Sequence, residues 1–304
     1  MSDIMIKVAH LTKDYGHEHG IFDISLEVKK GEVFGYIGTN GSGKTTTIRS
    51  MMGFIQPDAG SSTIMGMDAW SNSFAIKPYV SYVPGEIAFP GLRTGTDFLK
   101  LQAEYLGITD FTYMNKLIKL LQLDPSANLK RMSKGMKQKT ALVAALMGDR
   151  EILILDEPTT GLDPLMREVF LDLIREEKAK GKTIFMSSHI FEEIEGVCDK
   201  AAMIKDGHLI DIMDVHAMRH EPTKHFHVLF KNGVDRDAFM AQCDFAHCVQ
   251  EKESGCNITV DIAQIKKMLV QLNCYPLTRL SEEHETLEKK FQEAFKKGAA
   301  PDGK

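Results

Sequence analysis

Gly38-Thr39-Asn40-Gly41-Ser42-Gly43-Lys44-Thr45-Thr46 is the stretch on which the fold turns. Ahead of it, Glu32-Val33-Phe34-Gly35-Tyr36-Ile37 is rich in apolar residues and reads as a buried strand. Behind it, Thr47-Ile48-Arg49-Ser50-Met51-Met52 holds no helix breaker before Gly53 and reads as a helix. Strand, glycine-rich turn and helix in that order give the pattern G-x-x-x-x-G-K-[ST] its meaning. Glycines let backbone N–H groups converge on phosphate oxygens, and the opening helix adds its positive end. In such a loop Lys44 reaches the β- and γ-phosphates, and the Thr45 hydroxyl suits Mg²⁺. Gly38, Asn40, Gly41, Ser42, Gly43, Lys44, Thr45 and Thr46 are therefore expected to line a bound nucleotide.

A chain of 304 residues has room for one large domain and a small one. Hydrophobic residues at 43% and charged residues at 26% mark a globular protein rather than a disordered one. A net charge of -5 provides no basic excess, so no nucleic-acid partner is expected. No run approaches the ~18 apolar residues of a membrane span, and residues 1–10 lack a signal-peptide core. The expectation is a cytoplasmic protein that meets a membrane only through a partner. Five cysteines at scattered spacings read as reduced thiols, and Cys243, His247, Cys248 and Cys256 fit no standard zinc pattern.

Residues 4–11 and 24–28 read as strands ahead of the loop, with Tyr15 between them. An aromatic there can stack on adenine or simply cover a sheet edge. Further strands are expected at 62–66 and 79–83. From residue 90 to 147 apolar residues fall at helical spacing, with helices at 96–106, 113–123 and 133–147 and Ser133 as an N-cap. Ile152-Leu153-Ile154-Leu155 is a short continuous apolar run, expected of a buried parallel strand, and it ends in Asp156-Glu157. A helix at 165–180, a strand at 183–186 and then His189 follow. Asp206-Gly207 between two apolar runs signals a hairpin. Alternating strands and helices, with carboxylates at strand ends, describe an open α/β sheet that binds ligands along that edge.

The pattern breaks near 216–224, where a domain boundary is placed at 219/220. His216, His220, His225 and His227 gather there, as a solvated face explains. Beyond it, a strand at 225–230, a helix near Asp237, strands around Cys248 and Ile258, a helix at 263–272, a strand at 277–280 and an amphipathic helix at 285–297 make a small α/β domain. A disordered tail is expected from 298.

Phosphoryl transfer to water needs a metal, a positioned water and relief of charge on the γ-phosphate. Asp156 is placed to hold Mg²⁺, Glu157 to act as general base and His189 to donate to the γ-phosphate. With these motifs in order, the chain resembles the ATP-binding subunit of an ABC transporter over residues 4–215. Gly38 to Thr45 resembles the Walker A loop, and Ile152 to Glu157 resembles Walker B with its catalytic glutamate. Gly161-Leu162-Asp163 is similar to the D-loop, His189 to the switch histidine and Tyr15 to the adenine-stacking aromatic. Met132-Ser133-Lys134-Gly135-Met136 resembles the signature sequence that separates this family from P-loop kinases and GTPases.

The resemblance implies a P-loop NTPase core with a helical signature subdomain, ATP and Mg²⁺ as ligands, and ATP hydrolysis coupled to transport. It implies a head-to-tail homodimer or heterodimer in which Ser133 and Gly135 meet the γ-phosphate held opposite, with Asp163 helping to join the sites. The power stroke would be passed to a separate integral-membrane permease, which would place the chain at the inner face of the cell membrane. Two departures stand out. Gly85-Glu86 follows the strand where the family carries Gln, and Lys134 and Met136 replace the usual Gly and Gln of the signature. These variants, with the C-terminal domain, resemble an exporter-type branch. A non-transport ABC ATPase acting on nucleic acid or ribosome is the alternative. It is disfavoured by the acidic charge and by the lack of a second cassette or coiled-coil insertion.

Overall fold

The chain opens with two long strands, β1 (Ile4–Asp14) and β2 (Gly20–Lys29), in which buried and exposed residues largely alternate. That period of two leaves one face for a core. The computed structural model describes residues 3–219, 222–283 and 286–297. It divides into two compact units, Met1–Val215 and His216–Lys304.

In the first unit β3 (Val33–Ile37) runs into the glycine loop and α1 (Lys44–Met51). β4 (Ala59–Ile64), β5 (Met67–Asp68), α2 (Ser73–Ile76) and β6 (Val80–Val83) come next. The expected helical insertion is present as α3 (Gly95–Tyr105), α4 (Thr112–Leu120) and α5 (Lys134–Leu146). A capping box starts α3, Thr94 accepting from the Asp97 N–H while Asp97 accepts from the Thr94 N–H. Ser133 caps α5 as the sequence suggests, accepting from the Met136 N–H at 3.2 Å.

β7 (Ile152–Asp156), α6 (Pro164–Ala179), β8 (Thr183–Ser188), α7 (Phe191–Val197), β9 (Lys200–Lys205) and β10 (His208–Asp214) complete the succession, and α8 (Val215–Arg219) begins at the unit's last residue. Helix α7 is not evident in the sequence because Glu192, Glu193 and Glu195 mask its short apolar face. Ile194 and Val197 are buried there, and a Cβ on Gly35 of β3 would lie 2.6 Å from the Ile194 side chain. The glycine in that strand is what lets the helix lie down.

Among the described residues ten strands form one sheet, in the order β5-β4-β1-β2-β10-β9-β3-β8-β7-β6. β6 is parallel to β7, β7 to β8, and β8 to β3, so their carboxyl ends share one edge. β3, β7 and β8 are buried at every position, as a parallel sheet covered on both faces requires. The other half is antiparallel, with β1 between β2 and β4, and is joined to β10 through the Phe22–His208 pair. The sheet is thus mixed. Ile6, Leu11, Ile24, Ile48, Met51, Tyr36 and Phe185 share the core beneath both halves. Each such fully buried side chain contributes on the order of 1.5–3 kcal/mol. α1, which carries the phosphate loop, is anchored on that core.

The second unit contains β11 (Thr223–Phe230), α9 (Gly233–Gln242), β12 (Ala246–Gln250), β13 (Gly255–Asp261), α10 (Ile265–Leu272), β14 (Leu277–Glu283) and α11 (Leu287–Lys297). Its sheet order, β12-β13-β11-β14, is antiparallel throughout. With the chain order β-α-β-β-α-β this is the split β-α-β arrangement. Phe230, Phe239, Ile258, Val260, Met268 and Leu272 form its core. His225 and His227 lie on β11, where His225 Nδ1 is 2.9 Å from the Thr259 hydroxyl. His220, residue 285 and the tail from 298 fall outside the described residues.

Candidate functional site

The loop between β3 and α1 is shaped by its glycines. Gly43 has φ +107°, and a Cβ there would lie 2.6 Å from the Ile21 side chain. Gly38 is pressed so closely on β9 that a Cβ would meet the Ile204 carbonyl at 2.4 Å. No side chain caps α1, and the residue at its N-cap is Gly43 itself. Its leading N–H groups and the positive end of the helix are thus turned towards the loop, as anion binding requires.

Lys44, only 6% exposed, curls back to donate to the Gly38 carbonyl at 2.6 Å and the Thr39 carbonyl at 3.1 Å. Its ammonium also pairs with Glu157 Oε1 at 3.1 Å. Next to it, the Thr45 hydroxyl donates to Asp156 Oδ2 at 2.8 Å. Asp156, fully buried at the end of β7, accepts at its other oxygen from Ser187 Oγ at 2.7 Å. Ser187 in turn accepts from the Glu157 N–H at 2.9 Å. Glu157 stands in the left-handed region at φ +49°, a strained position for a residue with a side chain. That turn brings its Oε2 to 2.6 Å from His189 Nδ1.

Parallel pairing of β3, β8 and β7 therefore gathers Lys44, Thr45, Asp156, Glu157 and His189 at one edge. A cleft of about 300 Å³ opens beside them, bounded by Tyr15, His19, Asn40, Gly41, Lys44 and Glu157, with Gly43, Thr45 and Thr46 also facing it, whereas Asp156 and His189 do not line it. Tyr15 is 54% exposed there, with Lys13 Nζ over its ring at 5.8 Å from the centroid. Gly38 and Ser42 shape the loop from behind the cleft rather than line it.

Ser133, Gly135 and Asp163 form a separate cluster. A Cβ on Gly135 would lie 2.6 Å from the Gly161 carbonyl, so the start of α5 and the turn before α6 are interlocked. Asp163 caps α6, accepting from the Met166 N–H at 3.0 Å, and Lys134 is exposed. None of these residues bounds the cleft of their own chain.

Two contributors were not evident from the sequence. Ser187 bridges Asp156 and Glu157, and no motif flags a serine inside a buried strand. His19 lines the cleft along with Tyr15. Gly85, which the sequence marks as a departure from the family's Gln, lies against the Asp156 carboxylate, where a Cβ would stand 3.1 Å from Oδ2. Beside it, burial and the Asp156 charge push the Tyr82 phenol up to about 12, so it remains a neutral hydroxyl.

This order of loop and strand-end carboxylates is matched by the family model described as ABC transporter over residues 21–160. The bacitracin transport ATP-binding protein BcrA of Bacillus licheniformis is 35% identical over 68% of this chain and 69% of its own length. The chain is a member of the ABC transporter family. The Nod factor export ATP-binding protein I of Burkholderia orbicola is 34% identical over 72% of this ABC protein and 73% of itself. A solved ATP-binding subunit of an ABC transporter shares 30% identity and superposes with a TM-score of 0.63, covering 71% of this chain and 92% of its own. The protein is accordingly an ABC transporter ATP-binding subunit and an ATPase. Among the described residues no helix is long and apolar enough to cross a membrane.

Proposed function

We propose that this subunit hydrolyses ATP with Glu157 as general base and His189 as its partner, within a site completed by a second ATPase subunit, and that the cycle drives export. The observation that carries the reading is the convergence of Lys44, Glu157 and His189. The carboxylate is held between a cation and an imidazole at hydrogen-bonding distance, beside a loop shaped for phosphate.

On this reading Tyr15 stacks on the adenine, and the loop from Gly38 to Thr46 wraps the phosphates. Lys44 exchanges its loop carbonyls for the β- and γ-oxygens. Glu157 orients water and accepts its proton, while His189 steadies the carboxylate and donates to the γ-phosphate. The meeting of the Thr45 hydroxyl and Asp156 carboxylate is a hard-oxygen donor pair and fits Mg²⁺. The ion, when bound, neutralises charge on the phosphates.

Ser133, Gly135 and Asp163 lie outside the cleft of their own chain, which supports their use by the opposite subunit. Transfer of the stroke to a separate membrane-embedded permease, and a station at the inner face of the membrane, follow from the same assignment. Export as the direction rests on the likeness to a Nod factor export subunit and to a bacitracin transport subunit. We take residues 1–219 as the ATP-binding domain and 220–304 as an accessory domain.

Glu157→Gln tests the mechanism. The variant is expected to bind ATP with parental affinity, to lose hydrolysis by about a hundredfold or more, and to accumulate as an ATP-dependent dimer in size-exclusion chromatography. Parental turnover would remove Glu157 from its role, and a variant that stays monomeric with ATP would overturn the shared site.

A further inference from the structure

Glu193 is a buried acid that the hydrolytic site does not use. It lies on α7 with 3% exposure, and its Oε2 accepts a hydrogen bond from Ser188 Oγ at 2.7 Å. The same serine oxygen accepts from the Ile190 N–H at 3.0 Å. Ser188 and Ile190 are the two chain neighbours of His189. The residue that touches Glu157 is thus gripped on both sides by one hydroxyl, and that hydroxyl is oriented by one carboxylate.

The chemistry of a serine makes this directional. A hydroxyl has a single hydrogen to give and two lone pairs to offer. With Glu193 taking the hydrogen, a lone pair is turned to the Ile190 N–H. Without that acceptor, the hydroxyl is free to rotate and the backbone turn at 188–190 loses its peg. The carboxylate is held there at a cost. Burial pushes its pKa above the ordinary value of 4.5, opposed by Ser188, Thr159 and Arg167 and reinforced by the Glu157 charge. A leucine would fill such a place more favourably if packing were all that mattered.

We infer that Glu193 is a positioning residue for hydrolysis: through the Ser188 hydroxyl it fixes the turn that presents the His189 ring to Glu157. This rests on the reading of Glu157 and His189 as the hydrolytic pair. It adds to that reading a residue one step removed from the reacting atoms.

The test uses the full chain, comparing steady-state ATPase with ATP affinity from a fluorescent nucleotide. Glu193→Ala is expected to lower kcat about tenfold while ATP affinity stays within about twofold, because only the presentation of a group is disturbed. Glu193→Gln keeps an oxygen for Ser188 to donate to, and should recover kcat to within about threefold of the parent. Ser188→Ala should lose as much as Glu193→Ala, and the double variant no more than either, since both cut the same chain of contacts.

Parental kcat in Glu193→Ala would overturn the inference, as would multiplying losses in the double variant or a Gln variant as impaired as Ala. Should Glu193→Ala fail to fold, Ser188→Ala carries the same test, and parental kcat there would overturn it. His189→Ala separates the two levels. Parental turnover in that variant refutes the hydrolytic pair itself, whereas impaired His189→Ala with unimpaired Glu193→Ala refutes only the role of Glu193.

Discussion

Strands β7 and β8 carry polar clusters at both ends, and the two ends differ in kind. At the carboxyl end, Lys44 and His189 both meet Glu157 and the Thr45 hydroxyl meets Asp156, around a left-handed glutamate and an uncapped helix. At the amino end, Glu177 is buried without exposed side-chain area and pairs with Lys182, with Lys180 at 2.6 Å and with the Tyr113 hydroxyl at 2.5 Å. Lys182 also meets Asp149 at 2.7 Å. A cavity of about 450 Å³ lies against this second cluster, larger than the nucleotide cleft. Size therefore does not mark the working end. What marks it is strain and polar groups arranged for an incoming anion, where the other end has paired its charges for itself. Tyr113 belongs to α4 and Glu177 to α6, so the amino-end cluster ties the helical insertion to the core.

The comparison is broken most sharply at the carboxyl end. Lys44→Ala should reduce ATP affinity or turnover by about a hundredfold or more, measured by nucleotide titration and phosphate release, because the loop loses its cation. Gly43→Ala should follow, since a Cβ meets Ile21 and the backbone must keep φ +107°. The strain is expected to cost about 1–3 kcal/mol in denaturant unfolding and to abolish binding where the loop relaxes instead.

At the amino end the expectation is reversed. Glu177→Leu should cost about 3 kcal/mol of stability by leaving Lys182 short of a buried partner. Turnover per folded molecule should remain within about twofold of the parent, since removing this pair touches no reacting group. A loss of turnover without loss of stability would mean that the two ends are not divided as described. Tyr113→Phe, which removes a single hydroxyl from the same cluster, should cost only about 1 kcal/mol.

Two buried glutamates sharpen the contrast through pH. Burial alone would raise Glu177, but Lys180, Lys182 and Tyr113 outweigh it and hold the carboxyl below its ordinary value of 4.5. Its contribution is present above the ordinary carboxylate range and is lost as pH falls through the lowered pKa. Glu193 is raised, chiefly by burial, so stability from that group is lost as pH climbs through its folded pKa. Thermal melts from about pH 4 to about pH 7 should show Glu193→Gln gaining on the parent as pH rises, and Glu177→Gln falling behind it. Parallel trends would contradict the assignment of opposite environments.

Much of this was legible in the sequence, for physical reasons. The phosphate loop announces itself because its glycines serve a backbone that no other residue allows, and the run Ile152 to Leu155 because a strand buried on both faces has no reason to alternate. The helical insertion and the cap at Ser133 follow from spacing and from a hydroxyl at the right step. The antiparallel half of the large sheet was not legible, since alternation in β1 and β2 says that one face is covered but not which strand lies alongside. Nor were Ser187 and Glu193. A serine or glutamate that orients another polar group has no local pattern, and the proximity of Gly85 to Asp156 exists only once β6 and β7 pair.

The bond between Lys44 and Glu157 has a consequence for the idle protein. On the proposed assignment, the cation that meets the triphosphate is also the one that holds the base. A nucleotide that draws Lys44 to itself would then free the carboxylate. Phosphate binding and release of the base are linked through a single side chain.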